Sequence, residues 1–185
     1  YLINSAAHIW GNRGFDAEQS ARDNWFIALF TFGEGYHNYH HTFAFDYRNG
    51  IRWYDYDPTK WFIKACSWVK LTSELRKCSS YRVEMTRIAV QYKAALGKCD
   101  QLAEPASWRS RVEAEYQLMV QSLNEWSEAQ QHWYQVKSEA LSHELHHDLE
   151  VIKARYKQLK IKVRQQKQGW QSLLRSFAHL PLQHT

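Results

Sequence analysis

GEGYHNYHH, residues 33–41, packs three imidazoles into five positions directly behind two glycines. A hydrophobic core has little use for such a cluster, because each buried ring brings polar nitrogens that need partners of their own. A metal ion has a direct use, since neutral imidazole is a donor to iron, copper or zinc. Read as one helical turn, His37, His40 and His41 stand at i, i+3 and i+4 and share a face. On these residues alone, a metal-binding turn and an accident of surface or core both stay open.

Working outward, NSAAHIW at residues 4–10 reads as a helix that sets Asn4 and His8 on one face at i and i+4. Gly11 and Gly14 end it, and GNRGFDAEQSARD reads as loop. NWFIALFTF, residues 24–32, is expected to form a second short helix capped by the carboxylate of Asp23 and stopped by Gly33 and Gly35. Downstream, DPTKWFIKACSWV opens with Asp57 as a candidate N-cap and Pro58 at the first helical position. Between the two lies IRWYDYD, dense in amphipathic aromatics. It suits a water–bilayer boundary or an aromatic corner of a soluble core, and the sequence does not choose.

NSAAHIWG followed about twenty residues later by GEGYHNYHHTFAFDYR resembles the C-terminal part of the membrane fatty acyl-CoA desaturases of the stearoyl-CoA (delta-9) type. The first stretch resembles the NSAAH element that follows the family's fourth transmembrane helix, and the second its third histidine box. The resemblance covers about residues 1–72, RWYDYDPTKWFI included.

The resemblance implies a di-iron centre with His8, His37, His40 and His41 as ligands, and Asn4 approaching one iron through water. It implies oxygen-dependent insertion of a cis double bond into a saturated fatty acyl chain, carried on coenzyme A or another acyl carrier. Electrons would come from a donor of the cytochrome b or ferredoxin type. No catalytic residue beyond the metal ligands is implied. Ala44 stands where the family usually has proline, which loosens the turn after the box and removes no ligand.

The family's other histidine boxes and membrane helices have no counterpart in these residues. The chain is therefore read as a fragment, inactive alone, of an integral-membrane parent, with this portion facing the cytoplasm. It starts at Tyr1 without a signal-peptide pattern and has no run of eighteen apolar residues. Cys66, Cys78 and Cys99 form no CxxC pair, which fits a reduced setting.

Charge divides the 185 residues unevenly: residues 1–62 hold five Lys/Arg against seven Asp/Glu, while residues 63–185 hold nineteen against twelve. Mean hydropathy is −0.65 despite nine Trp and eleven Tyr, so apolar residues are concentrated locally. We expect an all-α chain: residues 1–72 as the cytoplasmic cap of the desaturase domain, and residues 73–185 as a basic, coiled-coil helical tail. In that tail Val112, Tyr116, Met119, Leu123, Trp126 and Trp133, then Leu145, Leu149, Ile152, Tyr156, Leu159, Val163, Trp170 and Leu173, follow 3–4 spacing. As one helix, Trp108 to Ser176 would run on the order of 100 Å, interrupted near Gln130 and Lys137. In this tail Gly97 and Pro105 are the only expected breakers before Gly169, and an earlier helix from Tyr81 to Leu96 is expected to fold back as a hairpin at Glu104-Pro105-Ala106. Whether the seam pairs within the chain or by self-association is open.

Two further patterns stand out in the tail. His143-Glu144-Leu145-His146-His147 matches HExxH, but no third zinc ligand accompanies it, and it reads as a solvated helix face. Lys153, Lys157, Lys160, Arg164 and Lys167 form a stripe beside the seam, open to plain solvation, membrane lipid or, ranked last, nucleic acid. The competing class for the whole chain is a non-catalytic helical adaptor that binds an acidic partner or a membrane surface.

Overall fold

The computed structural model describes residues 2–102, 104–139 and 146–177. All of its regular elements there are helices: α1 (Leu2–Ile9), α2 (Trp25–Phe30), α3 (His37–Thr42), α4 (Pro58–Trp68), α5 (Ser80–Cys99), α6 (Pro105–Glu139) and α7 (His146–Ser176). Two isolated antiparallel bridges, Asn12 with Asp23 and Asp23 with Tyr36, supplement them. The chain divides into two compact units, Tyr1–Val90 and Gln91–Thr185, so the division falls within α5.

The first unit is organised by its loops. The segment between α1 and α2 returns along the end of α1, where Arg22 N donates to Ala7 O at 2.8 Å and Asp23 pairs with Asn12. Gly11, at φ 126°, permits this approach, because a Cβ there would sit 2.4 Å from Asp23 O. Phe15 then packs on Tyr39 and Phe43 at ring separations of 5.2 and 5.8 Å, and Cys78, Val83 and Ile51 complete that core. The Tyr39 hydroxyl donates to Asp46 at 2.6 Å, and Asp46 also accepts from Arg48 and from Cys78 N. Burial opposes ionisation of Asp46, but these donors, Arg48 foremost, hold its carboxyl below the usual range.

The Asp-Pro start of α4 forms as the sequence indicates. Asp57 accepts from Lys60 N at 2.9 Å, and its other oxygen takes Asn49 N and Gly50 N at 2.7 and 2.9 Å. Lys60 is buried beneath the turn that precedes α4, donating Nζ to the carbonyls of Gly50 and Arg52 at 2.9 Å each, and burial pushes its pKa down. Above that clamp the aromatics are displayed rather than packed. Trp53 is 85 % exposed, and Tyr54, Phe62 and Trp68 are also exposed, which removes the core-corner reading. No helix among the described residues is long and apolar enough to cross a membrane.

In the second unit the seam residues fold back within the chain. Trp133 stacks on Tyr156 at 5.5 Å, Glu125 pairs with Lys162 at 2.7 Å, and Trp108 meets Phe177 at 5.2 Å, an antiparallel register of α6 against α7. Val112, Met119, Leu123 and Trp126 are buried on one side, Trp170, Leu173 and Phe177 on the other. The single long helix is thus replaced by two. The end of α5 joins them, with Tyr92 stacked on Tyr116 at 4.0 Å and Gln91 accepting from Trp170 Nε1 at 2.9 Å.

Gly97 and Gly169 do not break helices as expected; both lie inside them. An interior glycine costs only about 1 kcal/mol, and the burial of Cys99 and Trp170 beside them outweighs that. Leu145 and the HExxH residues His143 and Glu144 lie outside the described residues.

Candidate metal centre

His8 lies in the last turn of α1 and the other three histidines sit on α3, so the site depends on what joins these two short helices. The link is the loop between α1 and α2, and Asn38 is its fastener. Its side chain is fully buried, and Oδ1 accepts from Phe15 N at 2.8 Å and Asp16 N at 3.2 Å. Its Nδ2 donates to the carbonyls of Asp16 and Ala21 at 2.8 and 3.1 Å. Every hydrogen-bonding position of the amide is therefore used.

The N-terminus of α3 has no side-chain cap from its own Tyr36. Asp23 supplies one across the loop, accepting from Tyr39 N at 3.0 Å and also from Asn38 N. This differs from expectation by one residue: Asn24 caps α2, accepting from Phe26 N and Ile27 N at 2.9 and 3.2 Å. The bridges of Asp23 to Asn12 and Tyr36 turn its carboxylate toward the histidine helix instead. Burial raises the Asp23 pKa to about 6, against the lowering effect of the two backbone donors.

The rings meet. The centroid of His37 lies 5.0 Å from that of His8, 4.4 Å from His41 and 6.4 Å from His40. His40 and His41 are 5.9 Å apart, and His8 and His41 6.4 Å. The Nε2 atoms of His37 and His41 are separated by 3.1 Å, and Nδ1 of His8 lies 2.8 Å from the Ser20 hydroxyl. Buried Nδ1 atoms of His37 and His40 have no partner. Asn4, one turn before His8 on α1, is exposed.

Burial, followed by the neighbouring rings of His41, His8 and His40, pushes His37 down to about 4, and His41 is lowered by burial and by His40. At neutral pH the His37 ring is therefore uncharged, the form in which imidazole donates to a metal. Two nitrogens each about 2.1 Å from one ion sit roughly 3.0–3.4 Å apart at tetrahedral or octahedral angles, and the Nε2 pair falls in that range. Pairing of His8 Nδ1 with Ser20 leaves its Nε2 available, the usual arrangement for an oriented ligand. The donor chemistry fits iron. Among the described residues, however, no group of three or more His, Cys, Asp or Glu converges as a closed metal cage. His37 meets His8 and His41 edge to face and stacks on His40, and the Nε2 atoms of His37 and His41 share a hydrogen bond.

The sequence reading missed Asn38 and Ser20 and misdirected Asp23. A signal existed for Asn38, since an asparagine inside a helical turn between histidines is a poor helix former and invites a tertiary role.

The fatty acid desaturase family matches residues 1–68. Acyl-CoA desaturase 1 of Saccharomyces cerevisiae is 50 % identical over 93 residues, 50 % of this chain and 18 % of that protein. A probable acyl-CoA desaturase of Schizosaccharomyces pombe is 57 % identical over 67 residues, 36 % of this chain and 14 % of its own length. Human stearoyl-CoA desaturase 5 is 43 % identical over 84 residues, 45 % of this chain and 26 % of that protein. The chain therefore spans less than a third of each of these relatives.

Proposed function

We propose, from the premise that residues 1–68 are delta-9 type desaturase sequence, that residues 1–72 are the C-terminal part of a membrane acyl-CoA desaturase domain. Residues 73–185 then form a basic helical extension. His8, His37, His40 and His41 would hold iron of a di-iron centre, and Asn4 would approach one iron through water. The iron pair, once bound, supplies with O2 the oxidising power to break unactivated C–H bonds and leave a cis double bond in a saturated acyl chain.

This chain's own residues hold and orient. Burial keeps His37 neutral and so ready to donate. Ser20 fixes the ring of His8, and Asn38 with Asp23 fixes the turn that carries the other three rings. The substrate is a fatty acyl-CoA, the class named for the relatives, or the same acyl group on another carrier. Reducing equivalents come from a cytochrome b or ferredoxin type donor. The parent is an integral membrane protein with this portion facing the cytoplasm. The exposed Trp53, Tyr54 and Phe62 suit a lipid boundary. Four candidate ligands are too few to hold two irons through a full catalytic cycle, so the 185-residue chain alone is inactive.

The observation that carries this reading is that the rings of His8, His40 and His41 all lie within 6.4 Å of His37. The test is made in the complete protein. Changing His37, His40 or His41 to Ala abolishes both iron content and unsaturated product, whereas His143→Ala and His147→Ala leave both intact. Equal tolerance at the two clusters refutes the assignment.

A further inference from the structure

α7 is electrically one-sided, and the way it packs explains why. Residues 151–185 contain eight Lys/Arg and no acidic residue. At about 100° per residue, Lys153, Lys157, Lys160, Arg164 and Lys167 fall within an arc of roughly 80° and extend about 21 Å along the axis. Lys162, which pairs with Glu125 of α6, and Gln166, which bonds Glu115, lie on the other flank of the buried seam. Glu113 of α6 is taken by Tyr92. The acids of α6 that make these contacts therefore do not reach Lys157, Lys160 and Arg164 at the middle of the stripe. Lys153 pairs with Glu150 one turn away, and Lys157, Lys160 and Arg164 are exposed with no ion pair among the described residues.

We infer that this stripe of α7 docks on anionic lipid headgroups of a membrane surface. The geometry favours a lipid surface over nucleic acid. Tyr156 and Trp170 of α7 are committed to the seam through Trp133 and Tyr116, so neither ring is free to stack on bases. Four of the five cations are lysines, point charges without the planar fork that reads base edges. A straight row of point charges matches a plane of phosphates and carboxylates, and exposed Ile161 beside the row adds apolar contact. The inference rests on α7 alone and is independent of the histidine site.

The test is sedimentation of the 185-residue chain with vesicles of phosphatidylcholine alone and of phosphatidylcholine with phosphatidylserine, at physiological salt. Binding should favour the anionic vesicles and weaken as salt rises. At about fivefold per cation near the surface, the triple variant K157Q/K160Q/R164Q should lose on the order of a hundredfold in affinity. A control with the same charge change elsewhere, K70Q/K98Q/R155Q, should lose clearly less, with both variants keeping the parent's helical circular dichroism. Equal binding to the two vesicle types, equal losses in the two variants, or tighter binding to duplex DNA than to anionic vesicles overturns the inference.

Discussion

Replacing Asn38 by Ala tests whether the histidine turn is held by its loop. The side chain serves four backbone groups: Phe15 N, Asp16 N, Asp16 O and Ala21 O. Phe15 and Ala21 are buried, so two of those groups lose their partner where water does not reach. Each such loss costs about 1–3 kcal/mol, and the two at half-buried Asp16 about 0.5 kcal/mol each once rehydrated. The total is about 3–7 kcal/mol, a large share of a small unit's stability. The damage should spread in a defined order. The loop that carries Ser20 and Asp23 detaches first, removing the hydroxyl beside His8 and the cap of α3. Amide hydrogen exchange on the 185-residue chain reads this directly. Protection at Phe15 and Tyr39 should fall together in Asn38→Ala, while protection in α6 stays unchanged. A loss below about 1 kcal/mol, with Tyr39 still protected, refutes the claim that Asn38 fastens the site.

Two other expectations follow from buried charge. His37 is held at about 4 against an ordinary 6.5, so its contribution to stability is full above 6.5 and is lost as pH falls through 4. Asp23, raised from 3.8 to about 6, works the other way, its contribution being full below 3.8 and lost as pH rises through 6. The metal-free chain should therefore show a shallow net pH dependence between these values. Asp23→Asn should expose the His37 slope, about 2 kcal/mol after allowing for solvent screening, as a steady loss on acidification in urea titrations; an unchanged slope counts against the paired assignment. Asp57→Asn should cost about 2–4 kcal/mol, because an amide cannot accept from Lys60 N with one atom and from Asn49 N and Gly50 N with the other. A thermal midpoint within a degree of the parent's would contradict it.

Much of the local structure was legible because it follows short-range rules. Asp57-Pro58 declares the start of α4 within two residues, and the histidines declare their common face within five. The all-helical character follows from the same periodicities. What escaped depended on partners distant in sequence. Asp23 and Asn24 are equivalent as caps until the bridges to Asn12 and Tyr36 turn one of them away. The seam of Val112 to Trp133 was visible, yet a 3–4 repeat is the same whether its partner is a second chain or α7 folded back. Glycine misled at 97 and 169, where local propensity yielded to burial. The meeting of His8 with α3 was implied by resemblance alone, since nothing in NSAAHIW says where its helix points.

The histidine cluster is also the place where the first unit carries local costs. Buried Nδ1 atoms of His37 and His40 stand without partners, the cap of α3 is a carboxylate pushed toward protonation, and the His37 ring resists charge. A sequence under no functional demand would relieve these costs with apolar substitutions at His37 and His40. Instead the surrounding loop commits the fully buried Asn38, the Asp23 carboxylate and the backbone bridges to keeping the rings together. Unfavourable groups over-determined by their support mark a site built for something that is to be bound. The Nε2 atoms of His37 and His41, 3.1 Å apart with the His37 ring uncharged at neutral pH, have the spacing and charge state of two nitrogens that share one ion.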